Sequence, residues 1–310
     1  MPGGPSSEMV LVRDHPDRDV GSGERRSGEP TLGGRTPAVA ASPGTSRHTL
    51  LLHSTRQRGE IALAAWIRAA VDRGEKVLVK HAASTKVLHR ILPASWLDAD
   101  AQGSRRVELA DAEAMGSRCG GHHERLYELH VELAERAQQE GYAGLATTAD
   151  GPALRALTKD NTELVEHERD IERLVARRQV RALCRYHPDT DAGLLPDALQ
   201  IHHHDVDDDI WTARIVDGQL RISGELDASN ADRLAQVLRA SVTDGVTVVN
   251  LSELEFCAVA GVRAFLEAAD ALYPGRELVL TGASRFLTKT FTITGCDNHP
   301  ALRLVPRERA

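Results

Sequence analysis

The stretch VTVVNLSELEFCAVAGVRAFLEAADAL, at residues 246–272, shows most clearly how this chain folds. It opens with Val246–Leu251, a short and mostly apolar run that predicts a buried strand. Ala260–Leu272 then carries apolar residues at helical spacing and predicts a helix. A strand followed closely by a helix is the repeating unit of an α/β layer. The stretch therefore predicts an α/β domain in the C-terminal part of the chain.

Further elements of the same kind lie on both sides of this stretch. Ile210–Val216 and Leu220–Leu226 predict two strands, and Asp217-Gly218 between them favours a hairpin turn. Asn230–Val242 predicts an amphipathic helix. After the quoted stretch, the predicted elements are a strand at Glu277–Leu280, a helix at Ser284–Thr292 and a strand at Leu302–Val305. We therefore expect residues 210–307 to form a small α/β sandwich.

The N-terminal half alternates strand and helix patterns. The predicted strands are His48–His53, Lys76–Lys80, Arg105–Leu109, Gly144–Thr147 and Val180–Tyr186. The predicted helices are Glu60–Arg73, Thr85–Leu92, Glu124–Glu140 and Asn161–Arg178. Such alternation predicts a mostly parallel sheet covered by helices. We therefore expect a separate α/β domain at residues 47–204.

Two segments are predicted to lie outside these domains. Residues 1–46 are rich in Gly, Pro, Ser and charged residues and nearly lack large apolar side chains, so we expect a disordered tail. Residues 187–208 contain prolines, aspartates and the run His202-His203-His204-Asp205, which we interpret as a solvated polar boundary. The linker itself is placed at residues 205–209.

Composition narrows the class of function. The chain has 38 Lys and Arg against 45 Asp and Glu, so its net charge of -7 disfavours a nucleic-acid partner, which needs a basic face. No apolar run approaches the roughly 20 residues of a membrane helix, and the four cysteines are scattered without a Cys-x-x-Cys pair. We therefore expect a soluble cytoplasmic protein with no membrane partner.

The C-terminal domain resembles the STAS family of anti-sigma-factor antagonists. The residues that carry this resemblance are Leu220-Arg-Ile-Ser-Gly-Glu-Leu-Asp227, Val248-Val-Asn-Leu-Ser-Glu-Leu-Glu-Phe256, Ala260-Gly261-Val262 and Leu278-Val-Leu-Thr-Gly282. The resemblance implies a bacterial signalling module that binds a kinase-like anti-sigma factor or another STAS protein and so affects transcription. It also implies a partner-binding surface at Asp227, Ser229, Cys257, Val259, Gly261 and Val262.

The same resemblance places the family's phospho-acceptor in this sequence. Family members have Phe-x-Asp-Ser-Ser-Gly, whereas this chain has Phe256-Cys-Ala-Val-Ala-Gly261, so Ala260 and Ala258 replace the acceptor hydroxyl and an aspartate. An alanine side chain offers no oxygen to a phosphoryl group, so we expect no phosphorylation switch here. Either the domain still binds a partner and is regulated otherwise, or it has lost docking to kinases; we favour retained binding.

The N-terminal domain resembles the MEDS family of sensory domains. The residues that carry this resemblance are His48-Thr-Leu-Leu-Leu52, Gly74-Glu-Lys-Val-Leu-Val79, Leu164-Val-Glu-His-Glu-Arg-Asp-Ile-Glu-Arg-Leu174 and Val180-Arg-Ala-Leu-Cys-Arg-Tyr186. The resemblance implies a sensor that binds an unknown small molecule. His48 is a possible sensory residue, although a hydrogen-bonded core histidine is the simpler interpretation. His53 stands near the position where family members usually have a tyrosine. This difference weakens the transfer of the family's ligand contacts to this chain.

Catalysis and cofactors are not expected from the sequence. Gly74-Glu-Lys76 lacks the first glycine and the hydroxyl of a phosphate-binding loop. Neither His122-His123 with His130 nor the run at 202–204 has a Cys or carboxylate at metal-site spacing, so no metal is predicted. Carboxylates around His167 have the spacing of surface ion pairs on a helix. We therefore expect a non-enzyme; the alternatives are an enzyme that processes a ligand or nucleotide, and a homo-oligomeric scaffold.

Overall fold

The computed structural model describes residues 47–82, 85–99, 104–177, 180–272 and 275–306. The predicted tail at residues 1–46 lies outside the described residues. The strands are β1 (His48–Leu52), β2 (Lys76–His81), β3 (Val107–Asp111), β4 (Leu145–Asp150), β5 (Val180–Tyr186), β6 (Asp205–Asp207), β7 (Trp211–Val216), β8 (Gln219–Leu226), β9 (Val248–Cys257), β10 (Leu278–Ala283) and β11 (Leu302–Pro306). The helices are α1 (Arg56–Asp72), α2 (Lys86–Ile91), α3 (Ala94–Leu97), α4 (Ala112–Cys119), α5 (His123–Gln139), α6 (Gly151–Leu157), α7 (Asn161–Arg177), α8 (Leu195–Ile201), α9 (Ala231–Thr243), α10 (Val259–Asp270) and α11 (Arg285–Ile293).

The first six strands form a parallel array in the order β6-β1-β5-β4-β2-β3. Parallel neighbours need crossover connections, and the helices between the strands supply them. The predicted α/β class with a mostly parallel sheet is therefore confirmed. Four helices that the sequence did not predict, α3, α4, α6 and α8, also lie in this half.

The last five strands begin with an antiparallel hairpin, β7–β8, and continue as parallel neighbours in the order β8-β9-β10-β11. The hairpin turn has positive φ at both Asp217 (52°) and Gly218 (74°), as a two-residue turn between right-twisted strands requires. Helices α9, α10 and α11 alternate with the parallel strands, as the sequence predicts.

The two halves share one eleven-stranded sheet, and the segment predicted as a linker between them contributes a strand to it. Part of the predicted linker, residues 205–209, is strand β6, which pairs in parallel with β1 and antiparallel with β7. Asp205 is buried and accepts hydrogen bonds from the Thr49 hydroxyl (2.5 Å) and from Nε of Arg214 (2.9 Å). These bonds satisfy a carboxylate that would be costly to bury alone. The junction is therefore part of the sheet.

The strands of the first half have different helices on their two faces. Side chains alternate along β1, so His48 and Leu50 face one side and Leu51 the other. The side with Leu50 packs against residues of α4 to α8, and the other side packs against α1 and α2. Helix α8 also contacts α9, so the first helical layer continues into the second half.

None of the helices in the described ranges combines the length and the apolar character needed to cross a membrane.

Candidate functional site

Four buried polar side chains meet in the helix-covered face of the first half. They are His48 at the start of β1, Glu168 in α7, Cys184 in β5 and His202 at the C-terminal end of α8. We call these four residues the buried polar cluster. Each is at most 5% exposed. Burying polar groups without partners is costly, so their contacts with one another decide whether the arrangement is stable.

The polar atoms of the cluster lie within hydrogen-bonding distance of one another. His48 Nε2 lies 2.8 Å from His202 Nε2 and 3.4 Å from the Cys184 sulfur. The Cys184 thiol donates to Glu168 Oε2 at 3.0 Å. That same carboxylate oxygen lies 3.6 Å from His48 Nε2 and 3.7 Å from His202 Nε2. One ligand atom from each of the four side chains thus falls within 4.8 Å of every other.

Groups around the cluster fix its orientation. His48 Nδ1 donates to Glu172 Oε2 (2.6 Å), and His202 Nδ1 donates to the carbonyl of Ala198 (2.8 Å). The hydroxyl of the buried Tyr186 donates to the second oxygen of Glu168 (2.7 Å). Both histidines are therefore held by Nδ1, and both present Nε2 to the centre of the cluster.

The electrostatics of the cluster follow from burial and close charges. Burial by itself lowers the pKa of His48, but its contacts with Cys184, Glu168 and Glu172 outweigh this and raise the pKa well above its usual value. Burial and the charge of His48 lower the pKa of His202 to about 3. Burial raises the pKa of the Cys184 thiol to about 11. Without another cation, His48 is thus the protonated member and donates to a neutral His202.

A second set of buried polar residues lies beside the cluster. Lys80 Nζ donates to His130 Nε2 (3.1 Å), because His130 Nδ1 already donates to the carbonyl of Leu126 (2.7 Å). His167 is buried, and its ring lies 5.4 Å from that of His130. Burial lowers the pKa of His167 to about 3, so this histidine is neutral. The core of the first half is therefore unusually rich in titratable groups, a property typical of functional sites.

An open groove of about 1180 Å³ runs between the two halves, next to the cluster. From the first half it is lined by residues that include Glu172, Arg173 and His204, and from the second by residues that include Gln236 and Arg239. Glu172 also binds His48, so one carboxylate joins the groove to the buried polar cluster.

The second candidate site is a set of exposed apolar side chains at the end of β9 and at the starts of α10 and α11. Phe256, Val259 and Phe286 are 40%, 53% and 58% exposed, and the rings of Phe256 and Phe286 stack with centroids 6.5 Å apart. We call these three residues the apolar patch. Ala258 is the N-cap of α10 and makes no side-chain capping bond. Large apolar groups that are exposed together on a protein surface commonly mark a binding site.

Comparison with known families identifies the first half of the chain. The family described as MEDS, the methanogen/methylotroph, DcmR sensory domain, matches residues 47–203, just over half of the 310 residues. The chain belongs to the MEDS family. The MEDS domain is followed by a match to the family described as Mlab, STAS domain, at residues 213–306. A search of curated proteins found no match.

The STAS domain exposes only part of the partner-binding surface expected from the sequence. Asp227 is half-buried and Ser229 exposed, and the backbone N–H and hydroxyl of Ser229 both donate to Asp227 Oδ1. Cys257, Gly261 and Val262 are buried, which corrects their expected role in contacting a partner. Their burial has a physical reason, because the start of α10 packs against β8 and β9: a Cβ added to Gly261 would lie 2.9 Å from the Cys257 sulfur.

The MEDS domain likewise differs from the sequence-based expectation for its histidines. His202 and His203 are buried rather than solvated, because α8 and β6 fold this segment into the sheet and the helical layer. His48 is buried and hydrogen-bonded, whereas His53 lies outside the cluster with its ring 5.9 Å from that of His187.

Sequence reasoning missed Glu168, Cys184 and His202 as partners of His48. A signal for two of them exists in the pattern. Glu168 lies on the apolar seam of α7 with Leu164 and Ile171, and Cys184 lies on the buried face of β5. A polar residue on an apolar face suggests a buried contact, but not its partner.

Proposed function

We propose that this chain is a non-enzymatic signalling protein whose MEDS domain senses a small molecule and whose STAS domain binds a kinase-like anti-sigma factor. The apolar patch carries this proposal. It includes Val259 at the start of α10, where the STAS resemblance places partner docking, and its two stacked phenylalanines in β9 and α11 expose apolar surface that a partner would bury.

The surroundings of the patch favour a partner with a basic rim. Glu255 is exposed and precedes Phe256 in β9, and Glu225 is exposed and pairs with Phe256 across β8 and β9. Asp227 lies at the end of β8, at the same edge of the sheet. A partner that presents an apolar centre surrounded by Lys and Arg would complement this surface in both shape and charge.

The shared sheet supports communication between the sensor and this surface. Strand β6 pairs with β1, whose first residue is His48, and also with β7 of the STAS domain. Helix α8, which ends at the cluster residue His202, contacts α9 of the STAS domain. A ligand that repositions α8 or β6 would therefore move elements that the STAS domain shares, without a flexible linker to absorb the change.

We further propose that the docking surface is not switched by phosphorylation at its centre. Ala258 is the N-cap and Ala260 the second residue of α10, and neither side chain can accept a phosphoryl group. Control then depends on the state of the MEDS domain. The substitution Ala260→Ser would introduce a hydroxyl at this helix start, and mass spectrometry after incubation with a cognate kinase-like anti-sigma factor would detect any phosphate there.

The test of the docking proposal is a binding titration of the purified full chain. Kinase-like anti-sigma factors encoded in the same genome would be titrated against the wild type and against Val259→Glu and Phe286→Glu, each of which places a charge in the apolar patch. The matched control is Ile61→Glu, because Ile61 is 51% exposed but lies in α1 of the MEDS domain. We expect the two patch variants to weaken binding at least tenfold and the control to leave it unchanged.

Other results of this titration would overturn the docking proposal. No binding by any such factor, or equal binding by the patch variants and the wild type, contradicts it. Binding only to a second STAS protein, or self-association that Phe286→Glu abolishes, would assign the patch to another partner.

A further inference from the structure

We propose that His48, Glu168, Cys184 and His202 bind one divalent transition-metal ion of the zinc class inside the MEDS domain. This inference is independent of the docking proposal and departs from the sequence-based expectation of no metal. It rests on the identity, spacing and orientation of four buried donor atoms.

The donor set suits zinc. Two imidazole nitrogens, one thiolate sulfur and one carboxylate oxygen are ligands that Zn²⁺ accepts together, whereas Mg²⁺ and Ca²⁺ prefer oxygen alone. Four protein ligands also complete the coordination of a tetrahedral ion and leave no open position for substrate. A closed site of this kind stabilises a fold and does not perform catalysis.

The spacing is close to that of a tetrahedral site. Zinc–ligand bonds of about 2.0–2.3 Å place the ligand atoms roughly 3.3–3.7 Å apart. Here the five separations among the four donor atoms given above run from 2.8 Å, between the two Nε2 atoms, to 3.7 Å, between His202 Nε2 and Glu168 Oε2. Only small side-chain movements would therefore be needed to bring all four atoms onto one ion.

The orientation of the histidines supports the same conclusion. Nδ1 of His48 faces the carboxylate of Glu172, and Nδ1 of His202 faces a backbone carbonyl; both partners are acceptors, so each Nδ1 carries the hydrogen. In neutral histidines the two Nε2 lone pairs would then point at each other across 2.8 Å, and either a proton or a metal ion between them relieves this repulsion. Metal-bound histidines are held in this way, with the second nitrogen donating to a carboxylate or a carbonyl.

Charge balance favours a dication in this dry environment. A divalent ion with one thiolate and one carboxylate gives a neutral centre, which lowers the cost of burial. The ion would also fasten together β1, β5, α7 and α8, the elements that supply its ligands. Since α8 leads into β6, occupancy of the site would fix the end of the MEDS domain that joins the STAS domain.

The competing explanation is a hydrogen-bonded network in which a proton on His48 takes the place of the metal. The test is metal analysis of the full chain purified under reducing conditions, followed by removal of metal with a chelator and titration with Co²⁺. We expect one zinc or cobalt per chain, a sulfur-to-cobalt charge-transfer band in the near ultraviolet, and the strong visible bands of tetrahedral cobalt.

Matched variants assign the site. Cys184→Ser should lose the charge-transfer band, whereas Cys119→Ser, which alters another buried free cysteine, should keep it. His202→Gln should lose tight binding, whereas His203→Gln, which alters the next buried histidine, should not. Glu172→Gln, which acts on the ion only through His48, should weaken cobalt binding about 10–100-fold without removing the sulfur band.

The outcomes are decisive even if a variant fails to fold, because the wild-type spectrum alone reports a thiolate ligand and a tetrahedral ion. Absence of stoichiometric zinc or cobalt in folded wild-type protein overturns the proposal. Metal binding that persists unchanged in folded Cys184→Ser and His202→Gln also overturns it, because the ion would then lie elsewhere.

Discussion

The two carboxylates that flank His48 should contribute very differently to stability. Glu168 is buried and accepts hydrogen bonds from the Tyr186 hydroxyl (2.7 Å) and the Cys184 thiol (3.0 Å), whereas Glu172 is 39% exposed and faces His48 alone among the cluster residues. Glu168→Gln removes a charge from a buried ionic contact and places an amide N–H against a donor. We expect a loss of about 3–5 kcal/mol in the free energy of unfolding.

Glu172→Gln keeps an oxygen that can still accept from His48, and water can reach it, so we expect a loss of only about 1 kcal/mol. Tyr186→Phe removes one donor to a charged acceptor and should lie between them, at about 1.5–3 kcal/mol. Urea unfolding followed by tryptophan fluorescence and circular dichroism, with a chelator present to exclude bound metal, measures all three. A loss for Glu172→Gln equal to or larger than that for Glu168→Gln would refute this account of the cluster.

Three smaller predictions test local features. Gly224→Ala should lower the free energy of unfolding by at least about 2 kcal/mol, because the new Cβ would lie 2.2 Å from a backbone oxygen. Gly218→Ala, which also has a left-handed φ but open space around it, should lower it by roughly 1–2 kcal/mol. Equal losses in thermal unfolding would contradict this difference. Hydrogen bonding to Asp170 raises the pKa of His123, so this histidine stabilises the fold below about pH 6.5 and the stabilisation is lost as the pH rises. In urea titrations, His123→Gln should therefore destabilise the protein more at about pH 5.5 than at about pH 8. The reverse order would contradict this role of His123. Ala258→Asp would supply a capping side chain at the start of α10 and should raise the free energy of unfolding by about 1 kcal/mol. Calorimetry would show this gain, and its absence would mean that the backbone there does not accept the cap.

The elements of this fold were predictable wherever apolar residues recur with a clear period. Helix α7, with its seam of Leu164, Ile171 and Leu174, and strand β5 lie within one residue of their predicted bounds. Strand β9 runs to Cys257, well beyond the predicted end at Leu251. In its last part only every third residue is buried, a pattern that neither a continuous apolar run nor strict alternation would reveal, and its pairing with β8 shifts register there.

The short elements were not predictable from periodicity. Helices α4 and α6 have only two turns each, and their signal is a capping aspartate, Asp111 or Asp150, whose side chain accepts from the N–H three residues on. Strand β6 has three residues, and its aspartates resemble a solvated linker. Only pairing with β1 and β7 makes it a strand, and pairing between distant segments is a tertiary property.

The buried polar cluster could not be predicted from the sequence for a similar reason. His48 is separated from Glu168, Cys184 and His202 by more than a hundred residues, so no local spacing links them. The sequence places His48 and Cys184 on two strands, but the register that aligns Leu50 with Cys184 is set by the parallel pairing of β1 and β5. Such a site depends on topology, whereas a site within one helix or loop can be found from its motif.

The MEDS and STAS domains are joined through one continuous sheet, so we expect them to unfold as a unit. Differential scanning calorimetry of the full chain measures whether they do. We expect a single transition whose calorimetric and van't Hoff enthalpies agree, and Glu168→Gln, although it lies in the MEDS domain, should shift that whole transition. Two separate transitions, with only the MEDS transition shifted by the substitution, would contradict it.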